Sequence, residues 1–245
     1  MLAPGRAGHG PRPTTASVVR TLDGPLQRRA EAVSGHLFLG GPVEHFEQDG
    51  RSQLIALLRR GLRPDSMVVD VGCGTLRAGY WLIHFLDPGG YHGIEPSQEF
   101  LSGGRKEILE PGLEEAKSPR FSDDRSFNVG VFGGRPDFVL ARSVWSHAAK
   151  PQIEQLLDSF AEHAATDGLL FASYVPVSER RPDYLGASWV GQGPDGGPGG
   201  MIAHDLDWLK QAGAKRDLEV RESTEDQFGA QVWLEVFRRA PARSV

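Results

Sequence analysis

Apolar positions along the chain follow two periods, which predict strands alternating with helices. Short runs of mostly β-branched and aromatic residues are typical of parallel strands that are covered on both faces. They occur at residues 67–71, 91–94, 137–141 and 169–174, with a shorter candidate at 121–124. Two later stretches, 217–222 and 231–237, alternate apolar and polar residues as a terminal strand pair does.

Between the strands, apolar residues recur three and four positions apart, which is the period of a helix packed on one face. The predicted helices are residues 16–32, with a break at Gly24-Pro25, and 52–60, 76–86, 97–109, 151–164 and 204–212. Ser97 and Pro151 suit the N-terminal positions of helices. This alternation predicts an α/β fold with a doubly wound, mostly parallel sheet.

The first strand runs into a glycine-containing segment, Asp70-Val71-Gly72-Cys73-Gly74, called here the glycine turn, and the second strand ends at Glu95. In a doubly wound sheet, ligands bind outside the carboxyl ends of the strands. Glu95 lies 21 residues after Gly74, close to the spacing of about 20 residues at which an acid reaches a nucleotide ribose. A carboxylate can accept both hydrogens of a ribose diol. These positions predict a nucleoside-binding site.

Two kinds of nucleoside cofactor compete for such a site. The dinucleotide fingerprint needs a third glycine to pack the helix against the strand, but Arg77 occupies that position and Gly79 follows two residues later. An acidic Asp70 beside the glycines suits a diphosphate poorly and an amino-acid ammonium well. The pattern therefore favours a nucleoside cofactor with an amino-acid portion.

The glycine turn, followed by a helix and a strand ending in Glu95, resembles motifs I and II of class I S-adenosylmethionine-dependent methyltransferases. The resemblance covers about residues 50–237 and departs from the family at Leu76, where many members have a third glycine. It implies a Rossmann-like, mostly parallel seven-stranded sheet and S-adenosyl-L-methionine as cofactor. The cofactor-binding residues that it implies are Asp70, Gly72, Cys73, Gly74, Glu95, Pro96, Asp124, Arg142 and Ser143.

Two of these positions keep alternative interpretations. Asp124, with its neighbour Asp123, could approach the adenine amino group, as the family often does, or be a solvated loop acid. Cys73 suits a small apolar filler of the turn better than a nucleophile.

His147 follows the fourth strand by a few residues, at the edge where the methyl group is expected. An oxygen acceptor needs a general base, and a histidine with an ordinary pKa of ~6.5 can remove a proton near neutral pH. The stretch from Ser143 to His147 is similar to a Ser-Val-Phe-x-His pattern of small-molecule methyltransferases, in which the histidine is catalytic or lines the pocket. His147 is the predicted catalytic residue, with a loop histidine that steadies the next helix as the alternative. Trp145 is assigned to packing, or to a wall of the pocket.

A metal-dependent route has weaker support. His204, Asp205 and Asp207 lie close together in the sequence and could suit Mg²⁺. An ordinary helix start is the preferred interpretation, because acids in the first turn of a helix favour the helix dipole. No metal site is predicted.

Composition narrows the class of partner. A net charge of −5 argues against nucleic acid as a substrate, because phosphate contacts need a basic face. No run approaches the ~18 apolar residues of a membrane span, and a single cysteine excludes a disulfide framework. Arginines without acids in the first 22 residues faintly resemble a transit peptide, but the glycines and prolines there are typical of a disordered start. The cytoplasm is the predicted location, and the oligomeric state, including a homo-oligomer, stays open.

The chain is thus divided into a disordered start (1–15), an N-terminal segment (16–50) that covers the cofactor or packs as helix on the sheet, and a catalytic domain (51–240). Within that domain, a Pro/Gly-rich insertion (175–203) is expected to help select the acceptor. The predicted function is methyl transfer to oxygen of a small molecule, such as a natural product or sugar. The alternatives are N-methylation of a small amine and a non-catalytic cofactor-binding module.

Overall fold

The computed structural model describes residues 24–191, 200–228 and 231–239. The prediction of a disordered start at 1–15 lies outside the described residues, as do positions 16–23 of the N-terminal segment and 192–199 of the insertion.

The described part of the chain contains seven strands and seven helices. The strands are β1 (Val68–Val71), β2 (Tyr91–Ile94), β3 (Arg120–Ser122), β4 (Phe138–Ala141), β5 (Leu169–Tyr174), β6 (Leu218–Phe228) and β7 (Gln231–Arg238). The helices are α1 (Pro25–Val33), α2 (Phe46–Arg59), α3 (Arg77–Phe85), α4 (Gln98–Gly103), α5 (Leu113–Lys117), α6 (Lys150–His163) and α7 (Leu206–Ala214). A π-helical turn (Gly104–Ile108) continues α4, and 3₁₀ turns lie at Val43–His45 and Val129–Phe132.

The strands form one sheet in the order β3-β2-β1-β4-β5-β7-β6. Strands β1 to β5 are parallel to one another, whereas β7 is antiparallel to both β5 and β6. The predicted seven-stranded, mostly parallel sheet is confirmed. The strand order reverses direction between β1 and β4, which places the topological switch point at the carboxyl ends of these two strands.

Helices cover both faces of the sheet because its central strands are apolar on both sides. On one face, Val69 and Val71 pack in a core with α6 and α7, which contribute Leu157 and Leu209. On the other face, Val68 belongs to a core with α2 and α3. A third cluster joins α1 to residues 37–46 and to Ile108, and so attaches the N-terminal segment to the domain.

Two predicted element boundaries are wrong. Helix α2 begins at Phe46, six residues before the predicted start at Ser52, because Phe46 and Gly50 are buried in a helix that crosses α3 closely. A Cβ on Gly50 would lie 2.1 Å from the carbonyl oxygen of Arg77, so the glycine allows the crossing. Strand β6 continues to Phe228, past an irregularity in its pairing with β7 between Glu222 and Gln227.

Candidate active site

A cavity of about 1010 Å³ lies at the carboxyl ends of β1, β2 and β4. It is closed mainly by the glycine turn with the start of α3, by the loops after β2, β3 and β4, and by a cover made of residues 38–53 and the insertion. The cavity lies at the switch point, where open α/β sheets bind their ligands.

The glycine turn lines the cavity with bare backbone. Gly72 and Gly74 have φ values of +69° and +54°, and a Cβ on Gly72 would lie 2.9 Å from Cγ2 of Val144. The amides of Gly72 and Cys73 donate to the carbonyl of Ile94, at 2.8 and 3.1 Å. Leu76, which departs from the family pattern, also has a positive φ of 64° and is fully buried, so packing offsets its backbone strain.

Glu95 is held at the rim of this turn by two backbone amides. Its Oε2 accepts from the N–H of Gly74 at 2.9 Å, and its Oε1 accepts from the N–H of Ser97 at 2.8 Å. Burial raises the pKa of Glu95, and the two amide hydrogen bonds oppose that rise. The remaining lone pairs of the carboxylate are suited to the hydroxyl groups of a sugar.

Asp70 lies beneath the turn and lines the same cavity. Its carboxylate accepts from the hydroxyl of Tyr91 at 2.9 Å, and burial raises the pKa of Asp70 to about 7. A nearby cationic group would stabilise the ionised form. Burial also raises the pKa of the Cys73 thiol well above its usual range, which supports the interpretation of Cys73 as a filler.

The loops after β2 and β3 supply a further wall. Pro96, Phe100, Asp124 and Phe127 line the cavity, whereas Asp123, also in the described part, does not. The Asp124 carboxylate accepts from the amides of Ser126 and Asn128, both at 3.0 Å, so it organises its own loop.

The loop after β4 brings the three predicted residues Arg142, Ser143 and His147 to the cavity. Ser143 donates its amide hydrogen to Oγ of Ser173 at 2.8 Å, and its own Oγ accepts from Nε2 of Gln231 at 2.6 Å. Gln231 also lines the cavity, and nothing in the sequence pattern indicated that a residue of β7 would reach this site.

His147 is fixed by the insertion. Its Nδ1 lies 2.8 Å from the carbonyl oxygen of Val190, and its ring stacks on Trp189 with centroids 5.6 Å apart. The contact is reciprocal, because the amide of Val190 donates to the carbonyl of His147 at 2.9 Å. Burial lowers the pKa of His147 below its ordinary value of 6.5.

Other residues singled out in the sequence have structural roles. Trp145 is fully buried in the core beside α6 and does not line the cavity. Asp205 accepts from the amide of Trp208 at 2.8 Å as the N-cap of α7, and Nε2 of His204 lies 3.0 Å from the carbonyl of Ala148. Within the described residues, no group of three His, Cys, Asp or Glu side chains is arranged to hold a metal.

The sequence analysis missed three charged residues that line the cavity: Asp49, Arg125 and Arg181. It considered Arg77 only as a residue that replaces the third glycine of the dinucleotide fingerprint. Asp49 and Arg77 lie on helices, at positions where charged residues are usually exposed. Their burial depends on the crossing of α2 and α3, so no local signal in the sequence identifies them.

Part of the chain and its fold are similar to known methyltransferases. A family model described as a methyltransferase domain matches residues 69–170. The magnesium protoporphyrin IX methyltransferase of Synechocystis PCC 6803, solved with bound SAM, is 18% identical with a TM-score of 0.57, over 80% of this chain and 81% of that chain. The DhpI–SAH complex is 14% identical with a TM-score of 0.56, over 88% and 94% of the two chains. The glycopeptide N-methyltransferase MtfA with S-adenosyl-L-methionine is 14% identical, with a TM-score of 0.56, over 78% and 94%.

Residues 69–170 are thus similar to a methyltransferase domain, and the fold of the chain is shared with solved methyltransferases. The bare glycine turn and the amide-held Glu95 are suited to a nucleoside cofactor such as S-adenosylmethionine, since they offer a flat backbone surface and a fixed acceptor for a ribose. In the described residues, no helix is long and apolar enough to cross a membrane.

Proposed function

We propose that the protein transfers a methyl group to an oxygen atom of a small molecule, with His147 as the general base. The observation that carries this proposal is the position of His147 in the same cavity as the glycine turn and Glu95. S-adenosylmethionine, when bound, supplies an activated methyl group on a sulfonium. What an oxygen acceptor then needs from the protein is alignment and removal of its proton.

The hydrogen bond to Val190 selects the tautomer of His147. A carbonyl oxygen only accepts, so Nδ1 carries the proton and Nε2 keeps the lone pair. Burial lowers the pKa of His147, which keeps the ring neutral at pH 7. The stacked Trp189 holds the plane of the ring. A neutral, oriented imidazole is the form that accepts a proton from a hydroxyl group.

The cofactor residues divide by chemistry. Glu95 would accept from the ribose hydroxyls, and the glycine turn with Cys73 would lie against the nucleoside. Asp70 would face the amino-acid ammonium. Pro96 and Asp124 would border the adenine, and Arg142 and Ser143, at the end of β4, would border the methionine end and the acceptor.

The acceptor is proposed to be a small molecule, such as a natural product or a sugar. The cavity of about 1010 Å³ matches the upper range of roughly 300–1,000 Å³ for small-molecule sites, enough for the cofactor with a modest acceptor. The relatives with the same fold include enzymes named for a porphyrin and a glycopeptide. We also propose a cytoplasmic catalytic domain at 51–240, with residues 16–50 as its cover, although α2 runs across the boundary at 50.

Replacement of the base tests the proposal. His147→Ala should lower turnover roughly 10²–10⁴-fold, while the affinity for S-adenosylhomocysteine (SAH), measured by isothermal titration, stays unchanged. His84→Ala, which removes a half-exposed histidine outside the cavity, is the matched control. Turnover is measured with labelled cofactor and a panel of sugars, phenols, polyketides and amines.

The outcome also separates the alternatives. Unchanged turnover in His147→Ala would exclude His147 as the general base. A pH–rate profile that is flat through the histidine range would favour an amine acceptor. Tight binding of SAH without methyl transfer to any compound of a broad panel would favour a cofactor-binding module without catalysis.

A further inference from the structure

Two buried arginines in the cavity share one carboxylate. Nη1 of Arg77 lies 3.2 Å from Oδ2 of Asp49, and Nη2 of Arg142 lies 3.6 Å from the same oxygen. The side chains of Arg77, Arg142 and Asp49 are only 8%, 19% and 20% exposed. This group of three residues therefore buries two positive charges against one negative charge.

The guanidinium groups of the two arginines differ in the number of hydrogen bonds that they donate. Arg77 donates to the carbonyl of Leu39 and to Asp49, and its guanidinium lies 5.4 Å from the ring centre of Phe46. Within the part of the chain that the structure describes, the guanidinium of Arg142 makes only the ion pair with Asp49, whose distance of 3.6 Å is too long for a hydrogen bond. Among the described residues, no group accepts a hydrogen bond from its guanidinium. Arg142 thus presents up to five unused N–H donors to the cavity that it lines.

Such an arrangement is costly without a further anion. Burial lowers the pKa of both arginines, and the charge of Arg142 helps to lower the pKa of Arg77 to about 10. A buried charge without a partner destabilises a protein, whereas a carboxylate or phosphate can accept two parallel hydrogen bonds from one guanidinium. The group is therefore suited to an anionic ligand.

The topology indicates which ligand supplies the anion. Arg142 follows β4, which lies between β1 and β5 in the sheet, whereas Glu95 follows β2 on the opposite side of β1. Strand β5 leads into the insertion, from which Arg181 and Trp189 line the same cavity. Arg142 thus lies towards the insertion and away from the predicted ribose position.

Taking methyl transfer to a small molecule as the function, we propose that the acceptor carries a carboxylate or phosphate group and that Arg142 binds this group. Asp49, which is itself paired with Arg77, holds Arg142 in place from the side of α2. The anion anchors the acceptor so that its hydroxyl group can face His147.

Binding of small probes to the SAH-saturated protein tests this assignment. Benzoate and phenyl phosphate are compared by isothermal titration with benzamide, a neutral isostere of benzoate. At least one of the two anions should bind about 10-fold to 100-fold more tightly than benzamide. Arg142→Gln should remove this preference, and Arg142→Lys should retain part of it, because lysine keeps the charge without the planar fork. Arg135→Gln, which removes an exposed arginine outside the cavity, should behave as the wild type.

Several results would overturn the proposal. One is a wild-type protein that binds benzamide as well as both anions, or binds none of the three probes. Another is a preference for the anions over benzamide that persists in Arg142→Gln. If that variant does not fold, the anion preferences of the wild type and of Arg142→Lys still test the proposal. A third result has two parts: SAH displaces the bound anion, and Arg142→Gln weakens the binding of SAH but not that of 5′-methylthioadenosine, which lacks the amino-acid carboxylate. Arg142 would then bind the carboxylate of the cofactor and not that of the acceptor. Failure of the wild type to bind SAH would instead contradict the function itself.

Discussion

The two ends of the cavity are built in different ways. The end of the cavity that we propose binds the cofactor, called here the cofactor end, comes mainly from one continuous stretch, residues 70–96. In this stretch, backbone amides hold the turn and Glu95. The acceptor end is assembled from separate segments: residues 38–53, 142–147, 181–191, 200–201 and 231. It depends on side-chain contacts such as Gln231 to Ser143 and His147 to Val190. This difference means that the acceptor end can change its ligand without disturbing the cofactor end.

The largest effect is expected at the cofactor end. Glu95→Ala should weaken SAH binding about 100-fold, because it removes a charged acceptor for the ribose and leaves the amides of Gly74 and Ser97 without a partner. Isothermal titration measures the loss, and Glu99→Ala, an exposed acid in α4, is the control. Equal SAH affinity in the two variants would contradict the assignment of Glu95.

Protonation of Asp70 should also affect the cofactor end alone. Burial raises the pKa of Asp70 to about 7, with Tyr91, Glu95 and Cys73 as the ionisable groups beside it. Below this pH the carboxyl is neutral and attracts a cationic ligand less, so S-adenosylmethionine affinity should fall about 10-fold from pH 8 to pH 6.

Calorimetric titrations with S-adenosylmethionine, in buffers of different ionisation enthalpy, would detect the proton that Asp70 releases when the cofactor binds. Asp70→Asn should bind more weakly at pH 8 and release no proton. A wild-type affinity that is independent of pH would contradict this role of Asp70.

A smaller effect is expected where the insertion is attached. Asp183 accepts from Nζ of Lys150 at 2.5 Å and from the amide of Asp205 at 3.1 Å, and so joins the insertion to the starts of α6 and α7. Asp183→Asn should raise the KM for the acceptor about fivefold, while the affinity for SAH is unchanged. Asp158→Asn, which breaks an ion pair with Arg216 at an exposed aspartate, controls for lost charge. A parallel loss of SAH affinity would mean that the two ends are not independent.

The smallest effect is a shift in the pH profile of kcat/KM when Trp189 is replaced. Since burial lowers the pKa of His147, the acid limb of kcat/KM should have its midpoint below pH 6.5. Trp189→Phe keeps an aromatic ring on the imidazole and should leave the limb nearly in place. Trp189→Ala admits water to the ring and should move the limb towards pH 6.5. If neither variant changes the midpoint of the acid limb, burial by Trp189 is not the cause of the lowered pKa of His147.

The sequence alone determined the fold class and the cofactor end. Strand, turn, helix and strand follow one another within about thirty residues of the printed chain, and hydrogen bonds between neighbouring strands then bring Gly74 and Glu95 together. The conformational demands of a sharp turn and the apolar runs of buried strands are local properties, so they are visible in the order of residues.

Only the tertiary structure decided the acceptor end. The crossing of α2 and α3 buries Asp49 and Arg77, and the antiparallel pairing of β7 with β5 brings Gln231 to Ser143. The return of the insertion over the loop after β4 places Val190 against His147. Each contact joins residues far apart in the chain, and its geometry depends on how whole elements pack. Periodicity and spacing, which describe neighbours in the chain, contain no information on such contacts.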